Sequence, residues 1–250
     1  SGASIDVRVT FSEAVTVSGA PTLLLETGAT DRQATYVSGS GSTVLIFTYV
    51  PLLGDASADL DYASTAALLD GTIADAAGNA ALRELPAPGA AGSLGANRAI
   101  IIDTTTPMVL SVTSLAADAT YGLGASIAVQ VVFDEAVTVT GTPTLDLETG
   151  ATDRQATYVS GSGTTTLVFA YQVQAGDASN DLDYTTASAL GGGTIADLAS
   201  NPATTTLPAP GSGASLGGQK AIVVDTSRPA INSIASRRSS CCFVWISTIR

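Results

Sequence analysis

Apolar and polar residues alternate with a period of two along residues 127–133 (Ile-Ala-Val-Gln-Val-Val-Phe), 144–148 (Thr-Leu-Asp-Leu-Glu) and 166–173 (Thr-Leu-Val-Phe-Ala-Tyr-Gln-Val). Successive side chains of an extended chain point to opposite faces, so each stretch predicts a strand with one face buried. Gly, Pro, Asp or Ser bounds each stretch, which is the composition of turns between strands. Corresponding runs fall at 5–11, 22–26 and 44–50, and further strands are predicted at 109–113, 155–159, 182–185 and 221–224. Helical spacing with caps is missing; residues 63–69 and 185–190 read as one short turn each, and the glycine-rich stretch 211–218 as a flexible loop.

The pattern is written twice. At an offset of 122 residues, Gly2, Ala3 and Ser4 return as Gly124, Ala125 and Ser126, and residues 26–41 return unchanged as 148–163. The offset also carries Glu13 to Glu135, Asp55 to Asp177, Asp75 to Asp197, Asp103 to Asp225 and Pro107 to Pro229 without a gap. A period this long is a domain, since the units of solenoids run about 20 to 50 residues. The expected organisation is one repeat at 1–103 that lacks its first strand, a linker at 104–107, a second repeat at 108–225, the start of a third at 226–236 and an unrelated tail at 237–250. The start of the third is visible because residues 230–236 (Ala-Ile-Asn-Ser-Ile-Ala-Ser) answer 108–114 (Met-Val-Leu-Ser-Val-Thr-Ser). Both ends look cut from a longer polypeptide, and the tail, with Cys241, Cys242 and Trp245, reads as a truncation or frameshift product. About seven short strands per repeat predict an antiparallel two-sheet sandwich. A first repeat without its first strand has an open edge, which a strand from a neighbouring chain would complete.

Composition narrows the function. The chain is 45% hydrophobic and 13% charged, as a folded chain is and a disordered one is not. A net charge of −12 with a single lysine, Lys220, excludes a groove that neutralises phosphates, so no nucleic acid is expected as partner. Histidine is absent, which removes the usual zinc sites and the Ser-His-Asp and Cys-His arrangements. The apolar run of the tail is far below the roughly 20 residues of a membrane helix, so no membrane span is expected.

Several segments in order carry a resemblance: Val-Phe-Asp-Glu-Ala-Val-Thr-Val-Thr-Gly-Thr-Pro-Thr-Leu at 132–145, Ala-Thr-Tyr-Val-Ser-Gly-Ser-Gly at 156–163, Asp-Ala-Ala-Gly-Asn at 75–79 and Ile-Asp-Thr-Thr-Thr-Pro at 102–107. Over residues 2–236 the chain resembles the bacterial immunoglobulin-like, cadherin-like tandem repeats of large secreted adhesins. The resemblance implies an all-β fold of tandem immunoglobulin-like Greek-key β-sandwiches. It also implies an extracellular, secreted or cell-surface setting, and a role in cell adhesion as an extender that holds a distal domain away from the cell. In the second repeat, Asp-Leu-Ala-Ser-Asn at 197–201 departs from the first by placing Ser200 where Gly78 stood, which bears on the geometry of that loop.

An immunoglobulin-like topology would set Asp134, Glu135, Asp197 and Asn201 at the leading pole of the second repeat and Asp55, Asp59 and Asp61 at the trailing pole of the first, with Asp103 between. Like charges held together by so short a linker repel, and calcium, which takes about six to eight oxygen ligands, would relieve them. Cadherin-like repeats are rigidified in this way, so the resemblance implies calcium at a junction formed by Asp55, Asp59, Asp61, Asp103, Glu135, Asp197 and Asn201. Equivalent half-sites are Glu13, Asp75 and Asn79 toward a preceding repeat, and Asp177, Asp181, Asp183 and Asp225 toward a following one. The alternative is that these residues cap turns of their own loops. Asp61 and Asp183 could also face solvent, and Asp134 could cap a turn while Glu135 alone binds the ion.

The remaining constellations are weaker. Paired acids can hydrolyse glycosides, but the aromatic platform of a sugar cleft is missing at 5% aromatics, with Tyr36, Phe47, Tyr49 and Tyr62 expected in the core. No catalytic residue is expected, and the chain is not expected to be an enzyme. The Asp31-Arg32 pair, repeated at Asp153-Arg154, is read as an exposed turn. A module that recognises a cell-surface glycan or protein through such loops is the second functional reading, beside contact with neighbouring repeats of the same polypeptide. The Ser-Gly-Ser-Gly turns at 38–41 and 160–163 read as hairpins, since neither a lysine nor a helix follows them.

Overall fold

Residues 3–235 are described in a computed structural model. The readings placed on residues 1, 2 and 236–250, the tail with its two cysteines included, lie outside the described residues. The fold is all-β and sandwich-like, built of curled antiparallel sheets.

In the first repeat, the strand Ile5–Ser18 pairs with Ser42–Tyr49 through its first part and with Thr72–Ala74 through its last, so one bent strand serves two neighbours. Thr22–Glu26 pairs with Arg32–Ser38 and also with the two-residue strands Asp61–Tyr62 and Leu68–Leu69. The second repeat follows the same plan with one fusion. The expected strands at 127–133 and 144–148 form a single strand, Ser126–Glu148, whose register shifts between Val132 and Val137 and again between Gly141 and Thr144. The turn signals there make bulges instead of breaks, because the extended backbone continues while its partner changes from Thr164–Gln172 to Leu190–Ala196.

Several elements went unforeseen. Leu190–Ala196 forms where only a turn was read before it, and Ala119–Tyr121 runs parallel to Ile222–Asp225. The stretch 211–218 is not a free loop. It leads into the helical turn Leu216–Gln219, whose cap Ser215 accepts a hydrogen bond from Gly218 N. Ser93 caps the matching turn Leu94–Asn97.

Buried hydrophobic residues fall into two clusters, one running from Val7 to Ile102 and one from Val112 to Val224. Phe47, Tyr49 and Tyr62 lie in the first, as expected, with Tyr36 half-buried edge-on against Phe47 at 5.9 Å between ring centres. The hairpin turns at 38–41 and 160–163 are also as expected. Gly39 is required there: its φ is 112°, and a Cβ would stand 2.0 Å from the Val44 carbonyl oxygen. The short ribbon of Ala56–Ser57 with Ile102–Asp103 closes the first repeat and fixes where Asp103 leaves it.

Candidate metal centre

Three carboxylates meet at the tether between the repeats. One oxygen each of Asp103, Glu135 and Asp197 lies within 4.8 Å of the other two. Asp103 ends the last strand of the first repeat, Glu135 sits at the bulge of Ser126–Glu148, and Asp197 follows Leu190–Ala196. Burial raises the pKa of Glu135 above its ordinary value, and the negative charges of Asp103, Asp197 and Asp134 push it further the same way.

The tether is clamped on both sides. Thr104 Oγ1 donates to the Asp55 carbonyl at 2.8 Å and accepts from Gly54 N at 3.0 Å. Asp103 Oδ1 accepts from Thr105 N at 2.9 Å, and Asp134 Oδ1 accepts from Met108 N at 2.8 Å. Thr204 N donates to the Pro107 carbonyl at 2.8 Å. Asp134 therefore caps the incoming chain, while Glu135 turns toward the other acids.

Asn201 reaches the same point through its amide nitrogen. Its amide Nδ2 donates to Asp197 Oδ2 at 2.7 Å and to the Asp103 carbonyl at 3.0 Å, joining the two repeats directly. Its backbone N–H donates to Asp197 Oδ1 at 2.8 Å. The first repeat has the same turn, with Asn79 donating to both oxygens of Asp75, but there Asn79 is exposed whereas Asn201 is buried. Ser200 adopts a φ of 70° where Gly78 has 88°, so the loop keeps its geometry and the serine takes the left-handed conformation.

The other expected junction acids lie outside this group. Asp55 is 1% exposed and points into its own repeat. Its Oδ1 accepts from Arg32 Nε at 2.8 Å, and its Oδ2 from Tyr49 Oη at 2.7 Å and Leu52 N at 2.8 Å. Burial opposes its charge, yet the bonds from Leu52, Arg32 and Tyr49 outweigh burial and hold its pKa below the ordinary value. Asp177 repeats this set with Arg154, Tyr171 and Gln174. Arg32 and Arg154, read as exposed, thus turn inward to close on a buried carboxylate.

Asp61 is also a turn organiser. It accepts from Tyr62 N, Gly89 N and Leu94 N. Asp183 accepts from Tyr184 N, Gly211 N and the Ser215 hydroxyl, so neither side chain simply faces solvent. Asp59 is exposed with a carboxylate near Gly95 of the helical turn, and Asp181 matches it beside Gly217. Glu13 and Asp225 are exposed, and Asp225 accepts from Ser227. Sequence reasoning missed Thr104, Arg32, Tyr49 and Ser215; the signal available was that Thr104, Arg32 and Tyr49 recur at Thr226, Arg154 and Tyr171.

Comparison with protein-family models, with curated proteins and with solved structures finds no match to this chain. Among the described residues, no helix is long and apolar enough to cross a membrane.

Proposed function

We propose that the chain is a pair of bacterial immunoglobulin-like, cadherin-like repeats with Greek-key topology, acting as an extender of an extracellular adhesin, and that calcium stiffens the junction between them. The observation that carries this reading is the approach of Asp103, Glu135 and Asp197 to within 4.8 Å across the tether. Two oxygens on opposite sides of a calcium ion at about 2.4 Å would stand about 4.8 Å apart, so this donor set suits one such ion. Hard carboxylate oxygens without histidine or cysteine favour calcium over a transition metal. Asp103, Glu135 and Asp197 would hold the ion, and backbone carbonyls or water would complete its shell.

The function is mechanical. Asp103 belongs to the first repeat, whereas Glu135 and Asp197 belong to the second, so a shared ion resists bending at the tether. Without it, three carboxylates repel across the same few residues and favour splayed arrangements. Burial first, and then the charges of Asp103, Asp197 and Asp134, raise the pKa of Glu135.

Small-angle scattering in calcium and in chelator tests the reading. Calcium is expected to give one extended arrangement, and chelator a broader distribution of lengths; Asp103→Ala is expected to look like the chelated protein under both conditions. Identical curves with and without calcium would refute it.

A further inference from the structure

One segment of the second repeat, residues 197–204, grips the tether. Asn201 Nδ2 donates to the carbonyl of Asp103 at 3.0 Å, and Thr204 N donates to the carbonyl of Pro107 at 2.8 Å. Thr204 also bridges to Met108. Both acceptors are backbone groups, so the grip is on the path of the tether and not on its side chains. Asp103 ends the last strand of the first repeat, so among these contacts the bond from Asn201 is the one that crosses between the repeats.

The same amide is tied to an acid of the junction. Nδ2 donates to Asp197 Oδ2 at 2.7 Å, the Asn201 backbone N–H donates to Asp197 Oδ1 at 2.8 Å, and both residues are buried. The two groups that Nδ2 faces are oxygens, a carboxylate and a carbonyl, so the amide is fixed with its donor nitrogen toward them; its own oxygen in that place would meet two oxygens with no proton between. A single NH2 group therefore sets the spacing between the Asp197 carboxylate and the Asp103 backbone. Pro202 follows Asn201, where Ala80 follows Asn79, and its ring fixes the backbone as the chain leaves the turn.

We propose that Asn201 is the positioning residue of the junction, a latch that holds Asp103 of the first repeat against Asp197 of the second whether or not an ion is bound. A buried bond of this kind specifies one arrangement, because rotating a repeat away leaves an N–H of the amide without its partner. The latch opposes the repulsion among Asp103, Glu135 and Asp197 and sets their oxygens in place before an ion arrives. That last consequence alone rests on the calcium reading. Groups that orient the ligands of a metal typically contribute about 10- to 100-fold in affinity.

The experiment measures, in chelator, the distribution of distances between two spin labels, one on each repeat. Thr43→Cys and Thr165→Cys, both at exposed positions, carry the labels in a Cys241→Ser, Cys242→Ser background. Asn201→Ala is expected to broaden the distribution relative to the labelled chain that keeps Asn201. Asn201→Asp, which keeps the size of the side chain but removes its N–H donors, is expected to broaden it likewise. Asn79→Ala is the control: Asn79 makes the same two bonds to Asp75 and, among the described residues, none across the tether, so its loss is expected to leave the distribution unchanged. A distribution that Asn201→Ala leaves as it was, or that Asn79→Ala broadens as much, would overturn the proposal. In calcium titration Asn201→Ala is expected to weaken binding about tenfold or more, and Asn79→Ala to leave it unchanged. Unchanged affinity in Asn201→Ala would overturn the setting of the oxygens in advance. Wild-type protein with no saturable site would instead overturn the calcium reading, while the distances in chelator still decide the latch.

Discussion

A buried aspartate that accepts from an arginine, a tyrosine and a backbone N–H in each repeat accounts for much of the local order. Removing the Asp55 carboxylate strands the Tyr49 hydroxyl and Leu52 N–H inside the first repeat and takes the counter-ion from Arg32. Such losses cost about 2 to 4 kcal/mol, with the Arg32 share reduced by its partial exposure. Asp55→Ala is therefore expected to lower the unfolding free energy by about that amount at neutral pH. The pH dependence has a fixed sign: the folded pKa of Asp55 is lowered, so its stabilisation is present above the unfolded value near 3.9 and is lost as pH falls through the folded one. Denaturant unfolding followed from neutral pH into acid should show the gap between wild type and variant constant above the unfolded pKa and narrowing below about pH 4; a gap that stays constant in acid would contradict this. The sequence displayed Asp55 in a turn rich in acids, which made it look like a junction ligand. It could not display that Tyr49 and Arg32 converge on the same point, because that convergence is made by the sheet.

At the scale of elements, the strands at 22–26, 44–50 and 109–113 were legible because alternation, turn residues and burial agree there. Elements held by tertiary partners were not. Ala119–Tyr121 has no alternation of its own and exists through its pairing with Ile222–Asp225. The turn Leu216–Gln219 contains two glycines and reads as loop, but Ser215 caps it, Leu216 is buried, and Asp183 holds Ser215 from below the turn. Ser215→Ala removes that cap and one partner of Asp183, which costs about 1 kcal/mol or somewhat more. A fall of that size in the denaturant-unfolding free energy is expected, and an unchanged value would show that the turn holds itself by other means.

For the whole molecule, the two copies report what the tether does. Asn79 is exposed and Asn201 buried, Asp225 exposed and Asp103 partly covered, although each pair occupies the same place in its repeat. Asn201 bonds the Asp103 carbonyl across the tether, and Asp103 adds one carboxylate beside Glu135 to those of Asp134 and Asp197 from its own repeat. The approximate meeting of acids at the linker was readable from the repeat offset and the short connection. Which of them meet was not, since Asp55 and Asp61 are taken up by their own loops. Calorimetric titration with calcium of the wild type, Asp103→Ala and Glu135→Gln addresses the junction most directly. The account predicts a saturable site of one ion per tether in the wild type, weakened at least tenfold in each variant; no saturable binding, or binding indifferent to both substitutions, would contradict it.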